Sequence, residues 1–193
     1  MPAFPIPFVG EDEYLRIERE AETRSEYHQG QMYPLVGATV RHALISASLG
    51  RRVGNALENR PCSVYAGSAK VKITSTGLYT YPDWAVVCGQ ILYSDKHKDT
   101  ILNPKVLFEV LSKSTAGHDR GFKFFHYSKI DSVDEYVLVS QGEPRVGVFR
   151  RQPNRVDWLW TEVTGMESKL ALPSLEIEIP LAEIYDKVEF DSE

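Results

Sequence analysis

A glutamate stands inside an otherwise apolar segment, VLFEVL, at residues 106–111. In an extended strand, the period of two places Leu107, Glu109 and Leu111 on the same face. A carboxylate between two leucines on a central strand loses its hydration, so it must be ion-paired, protonated or bound to a metal ion. A salt bridge at the open end of the strand is the structural alternative.

A second acidic residue, Asp83, follows Pro82 and precedes the apolar run WAVV. Because proline cannot donate a ladder hydrogen bond, the strand is predicted to begin near Asp83. The carboxylate then stands at the mouth of the strand. A capping aspartate that accepts a backbone N–H from the adjacent loop is the alternative.

The segment at residues 112–127 leaves the Glu109 strand through a small polar turn and continues with a helical pattern. In a helix, Asp119, Lys123 and Tyr127 lie at positions i, i+4 and i+8 on one face. Lys123 can then point back toward the carboxylates. A surface ion pair between Asp119 and Lys123 is the alternative.

Taken together, these residues predict a cation site with a positive charge beside it. Asp83 and Glu109 lie on adjacent predicted strands, and Lys123 lies on the next helix. Mg²⁺ and Mn²⁺ prefer carboxylate and carbonyl oxygens as ligands. Such a site suits phosphodiester hydrolysis, in which the metal activates a water molecule and the lysine orients that water or offsets developing charge.

Several phrases of the sequence resemble one known family in the same order. They are SEYHQGQMYPLVGATVRHALI, CSVY, KVKI, YPDWAVVCG, NPKVLFEVLSKSTAGHDRGFKFFHYSKI, DEYVLVS and LEIEIPLAEIY. On these phrases the chain resembles the bacterial restriction endonuclease family called Uma-two, within the PD-(D/E)XK nuclease superfamily. The resemblance covers about residues 13–187.

The resemblance implies a restriction-endonuclease-like fold, with a metal ion held at the mouth of the central sheet. By match to the motif, Asp83 is the PD aspartate and Glu109 is the first residue of (D/E)XK. The backbone carbonyl of Val110 is then a further metal ligand. The implied partners are Mg²⁺ or Mn²⁺, DNA and a second copy of the chain, since members of the superfamily are often dimers.

The sequence departs from the superfamily pattern at two positions. The lysine position of (D/E)XK falls at Leu111, which cannot serve, so the lysine is expected to come from the following helix as Lys123. Ser68 stands where relatives often carry an aspartate. Loss of one group that supports the metal ligands usually changes the affinity of a metal site rather than abolishing binding.

Glu26 and His42 are second-tier candidates. Glu26 lies on a predicted hairpin, and His42 opens the long predicted helix. Either can reach the metal ion or the scissile phosphate. The alternatives are an exposed strand residue for Glu26 and a helix cap or packing residue for His42.

The elements that must position these residues follow from the hydrophobic pattern. Charged residues 11–22 predict a short helix, 24–36 a hairpin that turns near Gly30, 39–59 a helix with one buried face, and 118–130 a further helix. Predicted strands span 62–66, 69–74, 83–88, 105–111, 135–140, 144–150, 155–163 and 175–179. This order predicts an α/β (α+β) fold with a mixed central β-sheet flanked by helices. We expect one domain at 13–187, an N-terminal extension at 1–12 and a C-terminal tail at 188–193.

Composition narrows the class of protein. The 193 residues are 42% hydrophobic and 25% charged, which excludes a disordered, collagenous or coiled-coil chain. No apolar run is long enough for a membrane span, and the N-terminus does not resemble a signal peptide, so we expect a cytoplasmic protein without membrane contact. Cys62 and Cys88 lack metal-binding spacing and are expected to be reduced thiols.

The formal net charge of −5 argues against a surface that coats nucleic acid, and we expect modest, salt-sensitive affinity for DNA. Arginines cluster on the later strands, where they either contact phosphates or belong to an ordinary mixed surface. Two functions remain open at this point. One is a Mg²⁺- or Mn²⁺-dependent endonuclease with Asp83, Glu109 and Lys123 as its site. The other is a catalytically weak or inactive, dimeric binding module with a nuclease fold.

Overall fold

The computed structural model describes residues 8–35, 37–112 and 115–190. Residues 1–7 of the N-terminal extension expected at 1–12 lie outside these ranges. Lys113 and Ser114 of the EVLSKST phrase lie outside them as well.

The predicted helices are present with shifted bounds, and one short helix near residue 181 was not predicted. The helices are α1 (Glu11–Glu20), α2 (Val40–Ala56), α3 (Ala116–His118), α4 (Phe124–Tyr127) and α5 (Leu181–Ile184). A π-helical segment at Asp119–Lys123 joins α3 to α4. Among the described residues, no helix is both long enough and apolar enough to cross a membrane.

Helix α2 buries one face because its apolar residues recur every four positions. Ile45, Leu49 and Val53 are each at most 1% exposed. The side chain of Thr39 caps the helix by accepting a hydrogen bond from the backbone N–H of His42 at 3.1 Å. This cap places His42 in the first turn.

The strands of the described residues form three sheets. The first contains β1 (Ser25–His28), β2 (Gln31–Pro34), β4 (Lys70–Ile73), β5 (Leu78–Thr80) and β7 (Thr100–Ile101), in the order β2-β1-β5-β4-β7. The second contains β3 (Cys62–Ala66), β6 (Trp84–Cys88), β8 (Val106–Leu111), β9 (Glu135–Ser140), β10 (Arg145–Arg151) and β11 (Trp158–Thr164), in the order β11-β10-β9-β8-β6-β3. The third is the hairpin of β12 (Lys169–Leu172) and β13 (Ile177–Pro180).

The mixed α+β class predicted from the sequence is confirmed, although the strands divide among three sheets rather than joining one. Strands β8 and β9 run parallel, and their neighbours in the six-stranded sheet run antiparallel. Strands β5, β7 and β12 were not predicted, since two to four extended residues carry little periodic signal. The proline of β2 lies on an edge strand, as its missing N–H requires.

Both faces of β8 are covered, which explains its nearly continuous apolar sequence. Phe108 and Val110 pack in the core cluster that contains the buried face of α2. Leu107 and Leu111 pack in a second cluster on the opposite face. Glu109 therefore projects toward the second cluster, on the face that the strand period predicts.

Helix α2 approaches the six-stranded sheet closely at Gly50. A Cβ atom at Gly50 would lie 2.1 Å from Cζ2 of Trp84, so the indole occupies the space that a side chain would need. The indole Nε1 donates a hydrogen bond to Ser46 Oγ at 2.8 Å. At Gly54, in contrast, a Cβ atom would meet no heavy atom within 4 Å.

The prediction of two reduced thiols is wrong, because Cys62 and Cys88 form a disulfide bond. The antiparallel register of β3 and β6 places the two residues directly opposite each other. The chain separation of 26 residues gives no hint of this pairing, which depends on how the two strands align.

Candidate functional site

Asp83 immediately precedes β6 and reaches across to the neighbouring strand β8. Its Oδ2 accepts a hydrogen bond from the backbone N–H of Val110 at 2.7 Å. Its Oδ1 lies 3.0 Å from Nε2 of His42. Both oxygens of this carboxylate are thus held by neighbouring groups.

Glu109 lies in the second half of β8 with only 4% of its surface exposed. Its Oε1 accepts a hydrogen bond from Lys123 Nζ at 2.9 Å and another from the hydroxyl of Tyr127 at 3.1 Å. Lys123 belongs to the π-helical segment and Tyr127 to α4. The helix that follows β8 therefore folds back over the glutamate, as the sequence predicts.

Lys123 is surrounded by carboxylates. Besides its 2.9 Å contact with Glu109, Nζ lies 3.4 Å from Glu26 Oε1 and 3.6 Å from Asp119 Oδ1. Lys123 itself is 6% exposed. The interpretation of Asp119 and Lys123 as a surface ion pair is therefore wrong, since both side chains are buried.

Burial and charge act in opposite directions on this group. Burial raises the pKa of Glu109 to about 8, although the charge of Lys123 opposes the shift. Burial also disfavours the charge of Lys123, but the surrounding carboxylates, Glu109 foremost, outweigh it and raise the pKa of Lys123. The lysine is thus held as a cation.

Both second-tier candidates reach the site. Glu26, on β1, is 7% exposed and accepts a hydrogen bond from the hydroxyl of Thr80. Burial works against its ionisation, but His118, Lys123 and Thr80 together outweigh burial and lower the pKa of Glu26 to about 2. The interpretation of Glu26 as an exposed strand residue is wrong.

His42 is part of a chain of polar contacts that ends at Asp83. The hydroxyl of Thr39 donates to Oε1 of Gln141 at 2.7 Å, and Nε2 of Gln141 lies 3.5 Å from Nδ1 of His42. Because Oε1 of Gln141 accepts from Thr39, its Nε2 faces His42 and donates to Nδ1. The proton of the His42 ring is then on Nε2, which faces Asp83. The hydrogen bond to Asp83 is also the largest influence on His42 and raises its pKa, with the backbone of Val110 adding to the shift.

These groups open onto a cavity of about 880 Å³. Asp83, Glu109, Lys123 and His42 all line it, together with Val110. Ser68 lines it too, so this position offers a hydroxyl rather than a carboxylate at the cavity wall.

The oxygen atoms at this site fit a hard divalent cation that is bound by only a few protein ligands. Asp83, Glu109 and the carbonyl of Val110 offer oxygen atoms, which are the ligands that Mg²⁺ and Mn²⁺ prefer. In the described part of the chain, no three His, Cys, Asp or Glu side chains are arranged to hold a metal ion. Two carboxylates still suffice for Mg²⁺, which commonly keeps several waters and substrate phosphates as its other ligands.

Some residues of the cavity were not singled out from the sequence. Gln141 follows β9 and contacts His42, although the two residues are 99 positions apart in the sequence. Arg24 lies in the connection between α1 and β1 and also lines the cavity. No local pattern identifies either residue, because each reaches the site only through the pairing of distant strands.

Other sequence features prove to be structural. Asp95 and Asp99, in the loop between β6 and β7, form ion pairs with Arg19 of α1. The arginines of the later strands are engaged as well, Arg150 with Glu135 for example. The mixed-surface interpretation of those arginines is the one that the contacts support.

The chain is similar to known proteins over nearly its whole length. The family described as "Putative restriction endonuclease" matches residues 11–182. Two uncharacterized proteins of Synechocystis sp., sll1609 and slr1290, are each 30% identical to this chain, over 165 and 189 residues. The two matches cover 86% and 98% of this chain, and 93% and 97% of the relatives.

The fold is also similar to a solved structure, titled as that of "a putative nuclease" from Anabaena variabilis. The TM-score is 0.73 at 16% sequence identity, and the match covers 90% of this chain and 96% of the other. The likeness establishes that the two chains share a fold.

Proposed function

The chain belongs to the Uma-two family of restriction endonuclease-like proteins, and on that premise we propose that it is a divalent-metal-dependent endonuclease that hydrolyses phosphodiester bonds in DNA. The observation that carries the proposal is the meeting of Asp83, Glu109 and Lys123 at one cavity. These residues come from two adjacent strands and the following helix, and they supply both oxygen ligands and a cation.

In this proposal, Asp83, Glu109 and the carbonyl of Val110 hold Mg²⁺ or Mn²⁺. Such a metal ion, when bound, neutralises phosphate charge and lowers the pKa of a coordinated water molecule. The protein supplies the orientation. Val110 N–H and His42 fix the two oxygens of Asp83, and the hydroxyl of Tyr127 fixes Oε1 of Glu109.

Lys123 has the donors needed to orient an attacking water molecule. An ammonium group carries three N–H donors, and among the described residues Lys123 uses one of them in a hydrogen bond, to Glu109. Glu109 foremost, with Glu26 and Asp119, keeps it charged, and its charge can offset the negative charge that develops on the phosphate in the transition state.

The remaining assignments belong to the same proposal. We assign DNA as the substrate, a homodimer as the assembly, a single catalytic domain at residues 13–187 and the cytoplasm as the location. Size-exclusion chromatography with light scattering tests the homodimer, and a mass near that of one 21.9 kDa chain would contradict it.

Cleavage of supercoiled plasmid DNA in the presence of Mn²⁺ tests the activity. We expect nicked and linear products with the native chain, and a loss of at least about 100-fold in rate with Asp83→Asn or Glu109→Gln. Asp95→Asn serves as a matched control, since Asp95 pairs with Arg19 outside the cavity. Activity that survives both site substitutions would overturn the assignment.

The binding-module alternative draws support from the ion pair of Lys123 and from Ser68. Glu109 is already engaged by a buried lysine, and the serine supplies no carboxylate to the cavity. Calorimetric titration with Mn²⁺ distinguishes the two functions. Binding that is lost in Asp83→Asn supports the enzyme, whereas no binding at millimolar Mn²⁺ supports the module.

A further inference from the structure

The cavity that contains the candidate site is acidic. Four carboxylate side chains line it, against two side chains of permanent positive charge. The carboxylates are those of Glu22, Asp83, Glu109 and Asp119, and the cations are those of Lys123 and Arg24. Away from the metal ion of the proposed function, these carboxylates repel a polyanionic strand that enters this space, unless cations at the wall offset the repulsion.

Lys123 does little to lessen that repulsion at a distance from the site. It is buried and forms ion pairs with Glu109, Glu26 and Asp119. Its charge is therefore balanced within the protein. Arg24 differs, since among the described residues its guanidinium has no acidic partner.

Arg24 is nevertheless held in a defined position. Its guanidinium lies 5.6 Å from the centre of the Tyr81 ring, and Nη1 donates to the carbonyl of Gly67 at 2.9 Å. Its own carbonyl accepts a hydrogen bond from the backbone N–H of Leu35 at 2.8 Å. Tyr81 is in turn fixed by the hydrogen bond from its hydroxyl to Glu18 at 2.8 Å.

A guanidinium in this setting is suited to an oxyanion ligand. It carries five N–H donors in a planar fork, and within the described ranges one of them is used in a hydrogen bond, to Gly67, which leaves the rest of the fork to a ligand. Stacking on an aromatic ring and bidentate recognition of phosphate are both characteristic of arginine. The restraint by Tyr81 and Gly67 reduces the entropy that the side chain loses on binding.

We propose that Arg24 forms a phosphate-binding subsite of the cavity, which holds a backbone phosphate of the DNA strand next to the one that is cut. This inference rests on the proposed nuclease function and adds the residue that admits the strand to an acidic cavity. Arg24 would contact a phosphate of the DNA backbone, so the contact strengthens binding irrespective of base sequence.

The test measures binding separately from cleavage. A fluorescein-labelled 20-base-pair DNA duplex is titrated with protein by fluorescence anisotropy, with Ca²⁺ in place of Mn²⁺ and at several salt concentrations. We expect Arg24→Gln to weaken binding about 10-fold and to reduce the slope of log K against log salt by about 0.9, the value for one lost phosphate contact. Arg24→Lys is expected to restore the slope but only part of the affinity, since an ammonium cannot bind phosphate bidentately.

Arg16→Gln is the matched control. Arg16 is exposed on α1, pairs with Glu13 and Glu20, and is absent from the cavity wall, yet its substitution changes the net charge equally. Equal affinities for the two variants, or a native chain that does not bind the duplex, would overturn the inference. Melting temperatures within 2 °C of the native value, roughly the shift that surface changes cause, establish that both variants fold.

The proposed cleavage activity can fail independently. If the native chain binds the duplex through Arg24 but does not cut plasmid DNA with Mn²⁺, the subsite stands and the nuclease assignment does not. If the chain cuts DNA and Arg24→Gln binds the duplex as Arg16→Gln does, the nuclease assignment stands and the subsite does not.

Discussion

Lys123 Nζ donates a hydrogen bond to Glu109 Oε1 at 2.9 Å between two side chains that are both almost completely buried. The fold depends on this lysine, because removing Lys123 leaves several buried carboxyl groups without a compensating cation. Loss of one partner of a buried ion pair typically costs 3–5 kcal/mol.

We therefore expect Lys123→Met to lower the free energy of unfolding by about 3 kcal/mol, as measured by urea denaturation at pH 7. The double variant Lys123→Met/Glu109→Gln should recover part of this loss. Lys169→Met is the control, since Lys169 and Glu178 form an exposed pair at 3.5 Å that contributes less than about 1 kcal/mol. Equal losses for Lys123→Met and Lys169→Met would contradict the role assigned to the buried pair.

Gly50→Ala is expected to destabilise the protein by about 1–3 kcal/mol, because the new methyl group overlaps the indole of Trp84. Trp84 follows Asp83 directly, so the same substitution should also weaken binding of Mn²⁺. Gly54→Ala is the matched change on the same helix, where the space is open and alanine favours the helix by about 0.5–1 kcal/mol. Thermal denaturation of the two variants should give shifts of opposite sign, and shifts of the same sign would count against the close packing of α2 on the sheet.

Reduction of the Cys62–Cys88 disulfide is expected to lower stability. A bond that closes a loop of this length restricts the unfolded chain by up to about 3.5 kcal/mol. Urea denaturation with and without dithiothreitol measures the effect, and the Cys62→Ser/Cys88→Ser variant should not respond to the reductant. A native chain whose unfolding is unaffected by dithiothreitol would show that the bond contributes nothing.

His126 should make the protein less stable in mild acid. Burial, with smaller effects from His28 and His118, lowers the pKa of His126 from its ordinary value of 6.5 to about 4. Below pH 6.5 the unfolded chain therefore binds a proton that the folded chain does not. Above pH 6.5 the titration of His126 leaves the free energy of unfolding unchanged. As the pH falls from 6.5 toward 4, the free energy of unfolding decreases by at most about 1.4 kcal/mol per pH unit.

Urea denaturation between pH 7 and pH 4.5 checks this expectation. His126→Asn should show a shallower decline than the native chain, whereas His97→Asn, in an exposed loop, should leave the decline unchanged. A native decline that His126→Asn does not alter would assign the acid sensitivity to other groups.

Local pattern predicted the elements well where the segments are periodic and long. The bounds of β3 and the buried character of β6 and β8 follow from the apolar runs alone. The same reasoning placed Glu109 on the face that Lys123 covers. The sequence spacing of the helix and the strand period suffice for that inference, because all the residues concerned lie within one strand–turn–helix unit.

Contacts between distant segments could not be predicted in this way. Cys62 lies opposite Cys88 because of the register of two strands. The contact of Gln141 with His42 depends on the path of the whole six-stranded sheet. Arg24 lies in a connection with no periodic pattern. Its position on the cavity wall is determined by Tyr81 and Gly67, which are more than 40 residues away.

The π-helical segment Asp119–Lys123 limits how this region can vary in evolution. A π turn holds one residue more than an α turn, and the following helix α4 presents Tyr127 to Glu109 only with that extra residue in place. Deletion of one residue would rotate everything after the segment by about 100° about the helix axis and swing the tyrosine hydroxyl away. Substitutions can accumulate here, but the number of residues between Asp119 and Tyr127 cannot change without moving the tyrosine hydroxyl away from Glu109.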